Sequence, residues 1–138
     1  MKFLLIDPEK RRLHVGDFPD LNDAKVAAGL KPHEVDHSGV ARRLTIVVYE
    51  YSMFVPPAEQ FYFSAGLKLF GGPAVIYQTN EVGETVDFDT VISTAVFPNP
   101  GWLRWYRNLN EIEAAISGGT VKRPQNMVNE DVIWSWNR

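Results

Sequence analysis

The sequence contains no cysteine. This absence excludes a disulfide framework, a thiolate nucleophile and every metal site built on cysteine sulfur. A G-x-S-x-G elbow is also missing, and Gly71-Gly72-Pro73 lacks the lysine and the helix that a phosphate-binding loop needs. We therefore expect a non-enzymatic protein without a cofactor.

Long apolar runs and a surplus of basic residues are missing as well. The apolar run within Met1–Pro8 is too short for a signal peptide or a membrane span. The formal net charge is −3, whereas a general nucleic-acid binder usually carries a basic surplus. The sequence thus indicates a cytoplasmic protein that binds neither membrane nor nucleic acid. Its 138 residues, 45% of them hydrophobic, predict a single globular domain over 1–138.

One metal-site pattern occurs, because His33-Glu34-Val35-Asp36-His37 formally matches the zinc-protease pattern H-E-x-x-H. The pattern ligates zinc only on a helix, where two histidines one turn apart face the ion. Pro32 and Gly39 leave room for barely one turn, so we expect no zinc site.

A later acidic group is interpreted as a solvated strand face, with a cation site as the alternative. It consists of Glu81, Glu84, Asp87 and Asp89.

Short β-type runs dominate what the sequence does contain. Phe61–Phe97 breaks into such runs at glycines, which is typical of an antiparallel meander. Lys2–Ile6 and Leu13–Val15 flank a turn at Asp7-Pro8, and this arrangement predicts a hairpin. Arg43–Tyr51 is largely apolar on both faces, which predicts a central strand.

Capping residues mark two short helices. Asp20 precedes the helix predicted over Leu21–Ala28, and the glycine after it is a left-handed stop. Asn108 begins a capping-box-like spacing before a second helix that ends at Gly118-Gly119. Together these patterns predict an α+β fold, a mostly antiparallel β-sheet with two short helices packed against it.

Two further segments leave alternatives or extend the sheet. Ala58–Ala65 fits a short helix as well as a strand through Phe61-Tyr62-Phe63. Val132–Trp136 alternates as a last strand. This strand and Glu84–Phe88 are candidates for edge strands of the sheet. An edge strand can pair with the same strand of a second copy, so we expect a homodimer.

All four tryptophans lie in the last 37 residues, with arginines between them. Aromatic and arginine side chains anchor protein partners, although in a small domain large aromatics are also core material. The turn Pro98–Gly101 places Trp102 and Trp105 near a sheet end, so we expect one of the two to be exposed. The predicted partner-binding residues are Trp102, Arg104, Trp105, Tyr106 and Arg107.

The alternative function is small-ligand binding, or hydrolysis, in a polar-aromatic pocket. Glu50 is in register with the inward residues of the Arg43–Tyr51 strand, so its carboxylate points toward the core unless the strand ends before it. The residues of this alternative pocket are Tyr49, Glu50, Tyr62 and Tyr77. A cleft with convergent polar groups would favour the pocket, and a flat aromatic patch would favour a protein partner.

Four stretches resemble a small phage-associated domain family of unknown function in their order and spacing. They are Met1–Pro8, the helix near Leu21, the strand Leu44–Glu50 that closes on an acidic residue, and Gly71–Ile76. The resemblance covers about the first 80 residues; Tyr51–Phe70 departs from the pattern, and the C-terminal part is not covered. It implies a viral or mobile-element setting and supplies no catalytic residue. The main hypothesis is therefore a small binding protein, a phage accessory or counter-defence protein that acts by occupying a protein partner.

Overall fold

The N-terminal residues form the hairpin that the sequence predicts. The computed structural model describes residues 1–55, 60–88 and 103–122. In it, β1 (Lys2–Asp7) pairs antiparallel with β2 (Arg12–Asp17). Asp7 Oδ1 holds the turn by accepting a hydrogen bond from the backbone N–H of Lys10 at 3.1 Å. The predicted run Val91–Phe97, Trp102 and the predicted strand Val132–Trp136 lie outside the described residues.

The first helix, α1 (Leu21–Ala28), has the predicted caps. Asp20 Oδ1 accepts from the backbone N–H of Asp23 at 2.9 Å, and Gly29 ends the helix at φ 94°. A helix of two turns is unstable alone, so docking must hold it. Ala24, which has no exposed surface, makes that contact with the sheet.

Within the described residues, the chain forms two sheets, and the larger has six strands. β3 (Val35–Ala41) and β4 (Leu44–Tyr49) follow α1, and β7 (Ala74–Thr79) and β8 (Thr85–Val86) join from later in the chain. The order is β2-β1-β7-β4-β3, and β8 pairs with β7. β4 is central, as predicted, because β7 and β3 flank it and four of its six residues are buried.

The structure shows that the predicted single meander over Phe61–Phe97 is wrong. After one turn of 3₁₀ helix (Ser52–Phe54), β5 (Tyr62–Ala65) and β6 (Lys68–Gly71) form a hairpin in a separate sheet. At Gly72-Pro73 the chain leaves this hairpin, and β7 inserts between β1 and β4. Gly72 has a φ of 75°, which glycine adopts without strain. The described part of Ala58–Ala65 is therefore strand rather than helix.

The smaller sheet has the order β6-β5-β9, with β9 at Leu103–Tyr106, and packs face to face on the larger sheet. Side-chain alternation along β5 separates the two faces. Phe63 points into the core between the sheets, whereas Tyr62 points to the outer face, which α2 (Leu109–Ser117) covers through Ile112. The layers are α1, larger sheet, smaller sheet and α2. The α+β class is confirmed, with each helix on its own sheet.

The second helix, α2, also begins where its capping residues predict. Asn108 Oδ1 accepts from the backbone N–H of Glu111 at 3.0 Å. Glu111 Oε2 in turn accepts from the backbone N–H of Arg107 at 2.6 Å, and this carboxylate favours the positive end of the helix dipole. Within the described ranges, no helix is long and apolar enough to cross a membrane.

Candidate ligand groove

Helix α1 covers the middle of its face of the larger sheet. Ala24 packs with Phe3, Val47 and Val75, which lie on β1, β4 and β7. The edge strand β2 lies beyond this contact, and a groove runs between it and the C-terminal half of α1.

The groove has a volume of about 690 Å³. Pockets of roughly 300–1,000 Å³ suit a small organic molecule. The β1–β2 hairpin, the end of α1 and the segment before β7 form its three walls. The residues that line it and carry the argument below are Asp7, Arg12, His14, Ala27, Gln60, Phe61 and Pro73.

Two basic side chains line the hairpin wall. Strand alternation places Arg12 and His14 on the α1 side of the sheet, opposite Asp7 and Leu5 of β1. Both are exposed, and within the described part of the chain neither makes a hydrogen bond or an ion pair. The groove therefore presents a guanidinium and an imidazole that are available to a ligand.

Two acidic side chains lie at the same wall. Asp7, which uses Oδ1 to hold the β1–β2 turn, lines the groove, and so does the exposed Glu9. An acid beside Arg12 limits the negative charge that the groove accepts, because like charges repel. One anionic group on a ligand fits this wall better than two.

The opposite wall presents apolar side chains. Phe61 is 45% exposed there beside Pro73. Gln60 Nε2 donates to the carbonyl oxygens of Ser52 and Val55, the latter at 3.3 Å. A side chain at Gly71 would collide with the Gln60 amide, so this glycine lets the wall close.

The alternative pocket predicted from sequence is not assembled. Tyr49 and Tyr77 lie on the α1 side of the larger sheet, whereas Tyr62 lies on the outer side of the smaller sheet. Burial raises the pKa of the Tyr62 phenol, whose hydroxyl donates to the carbonyl oxygens of Ser52, at 3.2 Å, and Val55. Glu50 follows the end of β4 and is half-buried, and its backbone N–H donates to the carbonyl of Glu34 at 3.0 Å. A pocket that joins all four residues was therefore a wrong expectation.

The predicted partner-binding residues do not form one surface either. Trp105 is half-buried and packs on Phe63 in the core between the sheets, with the ring centroids 6.1 Å apart. Tyr106 is buried on the other side of β9, where its hydroxyl lies 2.9 Å from Ser64 Oγ. Arg104 and Arg107 are exposed, and Trp102 lies outside the described residues. Of the two tryptophans of which one was expected to be exposed, Trp105 is therefore not the exposed one, and binding of a protein partner stays a prediction.

The H-E-x-x-H segment is a turn followed by strand β3, so His33 and His37 do not share a helix. In the later acidic group, Glu81 pairs with Arg43 at 3.1 Å, and Asp87 Oδ1 accepts from the backbone N–H of Lys2 at 2.8 Å. Asp89 lies outside the described residues. Across the described ranges, no three His, Cys, Asp or Glu side chains are grouped so that they could hold a metal ion.

Sequence reasoning missed the groove residues. The alternation of Arg12 and His14 on one strand face was a readable signal, because period-two placement follows from the hairpin. Their approach to Phe61 and Pro73 had no local signal, since it depends on where β7 enters the larger sheet.

Comparisons of the chain with protein-family models, with curated proteins and with solved structures found no match. The resemblance to a phage-associated domain family therefore stays a prediction.

Proposed function

We propose that this is a non-enzymatic binding protein whose groove between α1 and β2 takes a small organic ligand with a flat apolar body and one anionic group. The observation that carries the proposal is the placement of the exposed Phe61 in the wall opposite Arg12 and His14, which have no partner within the described residues, in a groove of about 690 Å³.

The chemistry of the two walls defines the ligand class. A guanidinium donates two parallel hydrogen bonds to a carboxylate, sulfonate or phosphate, and an imidazole N–H adds a third donor. Because Arg12 and His14 have no partner in the described part of the chain, binding breaks no internal ion pair. Phe61 and Pro73 supply apolar surface for a ring.

A protein partner is the second candidate, and it includes the phage accessory or counter-defence role. Its support is the exposure of Arg104 and Arg107 at the end of β9. It ranks second because Trp105 and Tyr106, which would have been aromatic anchors, pack inside the protein.

The test uses anilinonaphthalene sulfonate, which carries a flat naphthalene ring system and one anionic group. We expect saturable fluorescence enhancement in the folded protein. Arg12→Ala should weaken the affinity by about tenfold, because a charged hydrogen bond is lost. Ala27→Trp should weaken it further by filling the groove from the exposed flank of α1.

The matched control is Arg42→Ala, which removes an exposed arginine from the β3–β4 turn, far from the groove lining. Its affinity for the probe should equal that of the wild type. Non-saturable binding, or affinities that Arg12→Ala and Ala27→Trp leave unchanged, would refute the proposal.

A further inference from the structure

The side chain of Lys25 is buried on the opposite flank of α1 from the groove. The residue is only 6% exposed. One position separates it from Ala24, which faces the sheet, and two separate it from Ala27, which faces the groove. At 100° per residue, Lys25 therefore projects toward β3 while Ala27 projects toward β2.

No carboxylate neutralises the Lys25 ammonium in the described part of the chain. The helix positions three and four residues away carry no acid. Glu34 lies near Lys31 at 3.9 Å and near His33 at 3.8 Å. Asp36 lies on the far face of β3, because it is opposite Val48, which faces the smaller sheet. The buried stem holds the ammonium in place without a counter-charge, so an anion at its tip would gain a charge-assisted hydrogen bond.

A histidine and a tyrosine lie on the face of the sheet toward which Lys25 projects. His37 is opposite Val47 on β3, and its Nδ1 lies 3.1 Å from the Tyr77 hydroxyl. When Tyr77 donates to Nδ1, the neutral ring carries its proton on Nε2 and presents an N–H donor. Burial lowers the pKa of His37, and the nearby positive charge of Lys25 lowers it further against the opposing effect of Asp36.

The Lys25 ammonium can also be reached from solvent. Within the described ranges, the Lys25 nitrogen has no hydrogen-bond partner. It is not fully enclosed by protein atoms, so part of its surface contacts solvent. The buried methylene stem fixes the position of the charge while the tip stays accessible.

We propose that Lys25 and the His37–Tyr77 pair form a second binding site, separate from the groove, for the oxyanion of a phosphate or carboxylate group. Lys25 supplies the charge, and His37 Nε2 supplies a directed donor on the neighbouring strand. The site occupies the strip of sheet between α1 and the β3 edge.

The experiment titrates isotope-labelled protein with inorganic phosphate and, separately, with acetate, and follows backbone amide shifts. Saturable shifts at α1 and β3 are expected with at least one anion, and the stronger of the two identifies the preferred group. Lys25→Met keeps the apolar stem, removes the charge and should weaken binding by about tenfold or more. The control Lys31→Met removes an exposed lysine nearby and should leave the affinity unchanged.

His37→Gln provides a second variant, at an exposed position of β3, and it should weaken binding less than Lys25→Met. Arg12→Ala, the groove variant, should not alter these shifts, so a failure of one site is distinguishable from a failure of the other. Absence of saturable shifts with both anions, or equal affinities for wild type and Lys25→Met, would overturn the inference.

Discussion

At the scale of single residues, β9 places neighbouring side chains in two separate cores. Trp105 lies between the sheets against Phe63, and Tyr106 lies under α2 with its hydroxyl 2.9 Å from Ser64 Oγ. The tyrosine–serine pair satisfies two polar groups that would otherwise be buried without partners. The short β9 strand therefore joins both layers of packing.

Trp105→Ala should destabilise the protein by about 3 kcal/mol, because a large aromatic side chain is removed from packed surroundings. For a domain of this size, that corresponds to a fall in the thermal midpoint on the order of 10 °C. Arg107→Ala, two residues away and exposed, should change stability by less than about 0.5 kcal/mol. An unchanged midpoint for Trp105→Ala would show that the ring does not pack as described.

His37 should make stability depend on pH. Its pKa in the folded state lies below the ordinary value of 6.5, so between the two values the unfolded chain binds the proton and the folded chain does not. The contribution of His37 to the free energy of unfolding is thus fully present above pH 6.5 and is lost as the pH falls toward the pKa of the folded state. Burial is the main cause of the lowered pKa of His37, the charge of Lys25 lowers it further, and Asp36 opposes both; Tyr77 is the hydrogen-bond partner of the ring.

The thermal midpoint of the wild type should fall between about pH 7 and about pH 5. In His37→Gln, the fall over the same range should be smaller. His33→Gln is the matched control, because the His33 side chain is 79% exposed. The same pH dependence in His37→Gln and wild type would contradict the assignment.

At the scale of elements, the two edges of the larger sheet differ. On the β3 edge, Lys68 Nζ from β6 donates to the backbone carbonyl of Gly39 at 2.7 Å and to Ser38 Oγ at 3.0 Å. A lysine that covers an edge carbonyl hinders the pairing of another strand. Among the described strands, β2 has no neighbour on its outer side. Its residue Leu13 has a side chain that is 49% exposed.

The outward groups of β2 follow from its pairing with β1. The backbones of Met1 and Phe18 exchange two hydrogen bonds, each of 2.8 Å. In an antiparallel ladder, hydrogen-bonded pairs alternate with pairs that are not hydrogen-bonded, so every second pair of β1 and β2 counted from this one is also hydrogen-bonded. His14 therefore bonds to β1, whereas Leu13 directs its N–H and C=O away from the sheet. β2 therefore offers an edge, other than the two that the sequence predicted, through which a homodimer can form.

Leu13→Pro should abolish a homodimer built on this edge, because proline removes an outward N–H without removing a bond to β1. Leu13→Ser is the control, since it shortens the side chain but keeps the N–H, and it should remain dimeric. Sedimentation should give twice the chain mass of 15.7 kDa for the wild type. A monomeric wild type, or a dimeric Leu13→Pro, would rule out pairing through β2.

Elements with local signals were predictable from the sequence. Asp20 and Gly29 bound α1 because capping is a local interaction, and β4 was recognised because both of its faces are apolar. β3 was missed because Asp36, Ser38 and Gly39 give it low strand propensity, and pairing with β4 overrides that preference.

At the scale of the whole molecule, α1 leaves uncovered a strip of sheet on each of its flanks. One strip becomes the groove with Arg12, and the other contains His37 beside the buried Lys25. Neither was predictable from the sequence, since each joins residues from separate elements through the strand order. The same limit explains why Tyr62 was grouped wrongly with Tyr77, although they lie on different sheets.

The central position of β7 also has a consequence for the order of events during synthesis. Residues are made from the N-terminus, so the β1–β2 and β3–β4 hairpins emerge before Ala74–Thr79, the strand that joins them. Until then, each hairpin of the nascent chain exposes an apolar strand that is later covered on one side. Non-local pairing of this kind slows folding and leaves the chain open to aggregation in the interval. We expect β7 to join the two hairpins in one cooperative step after Thr79 has been made.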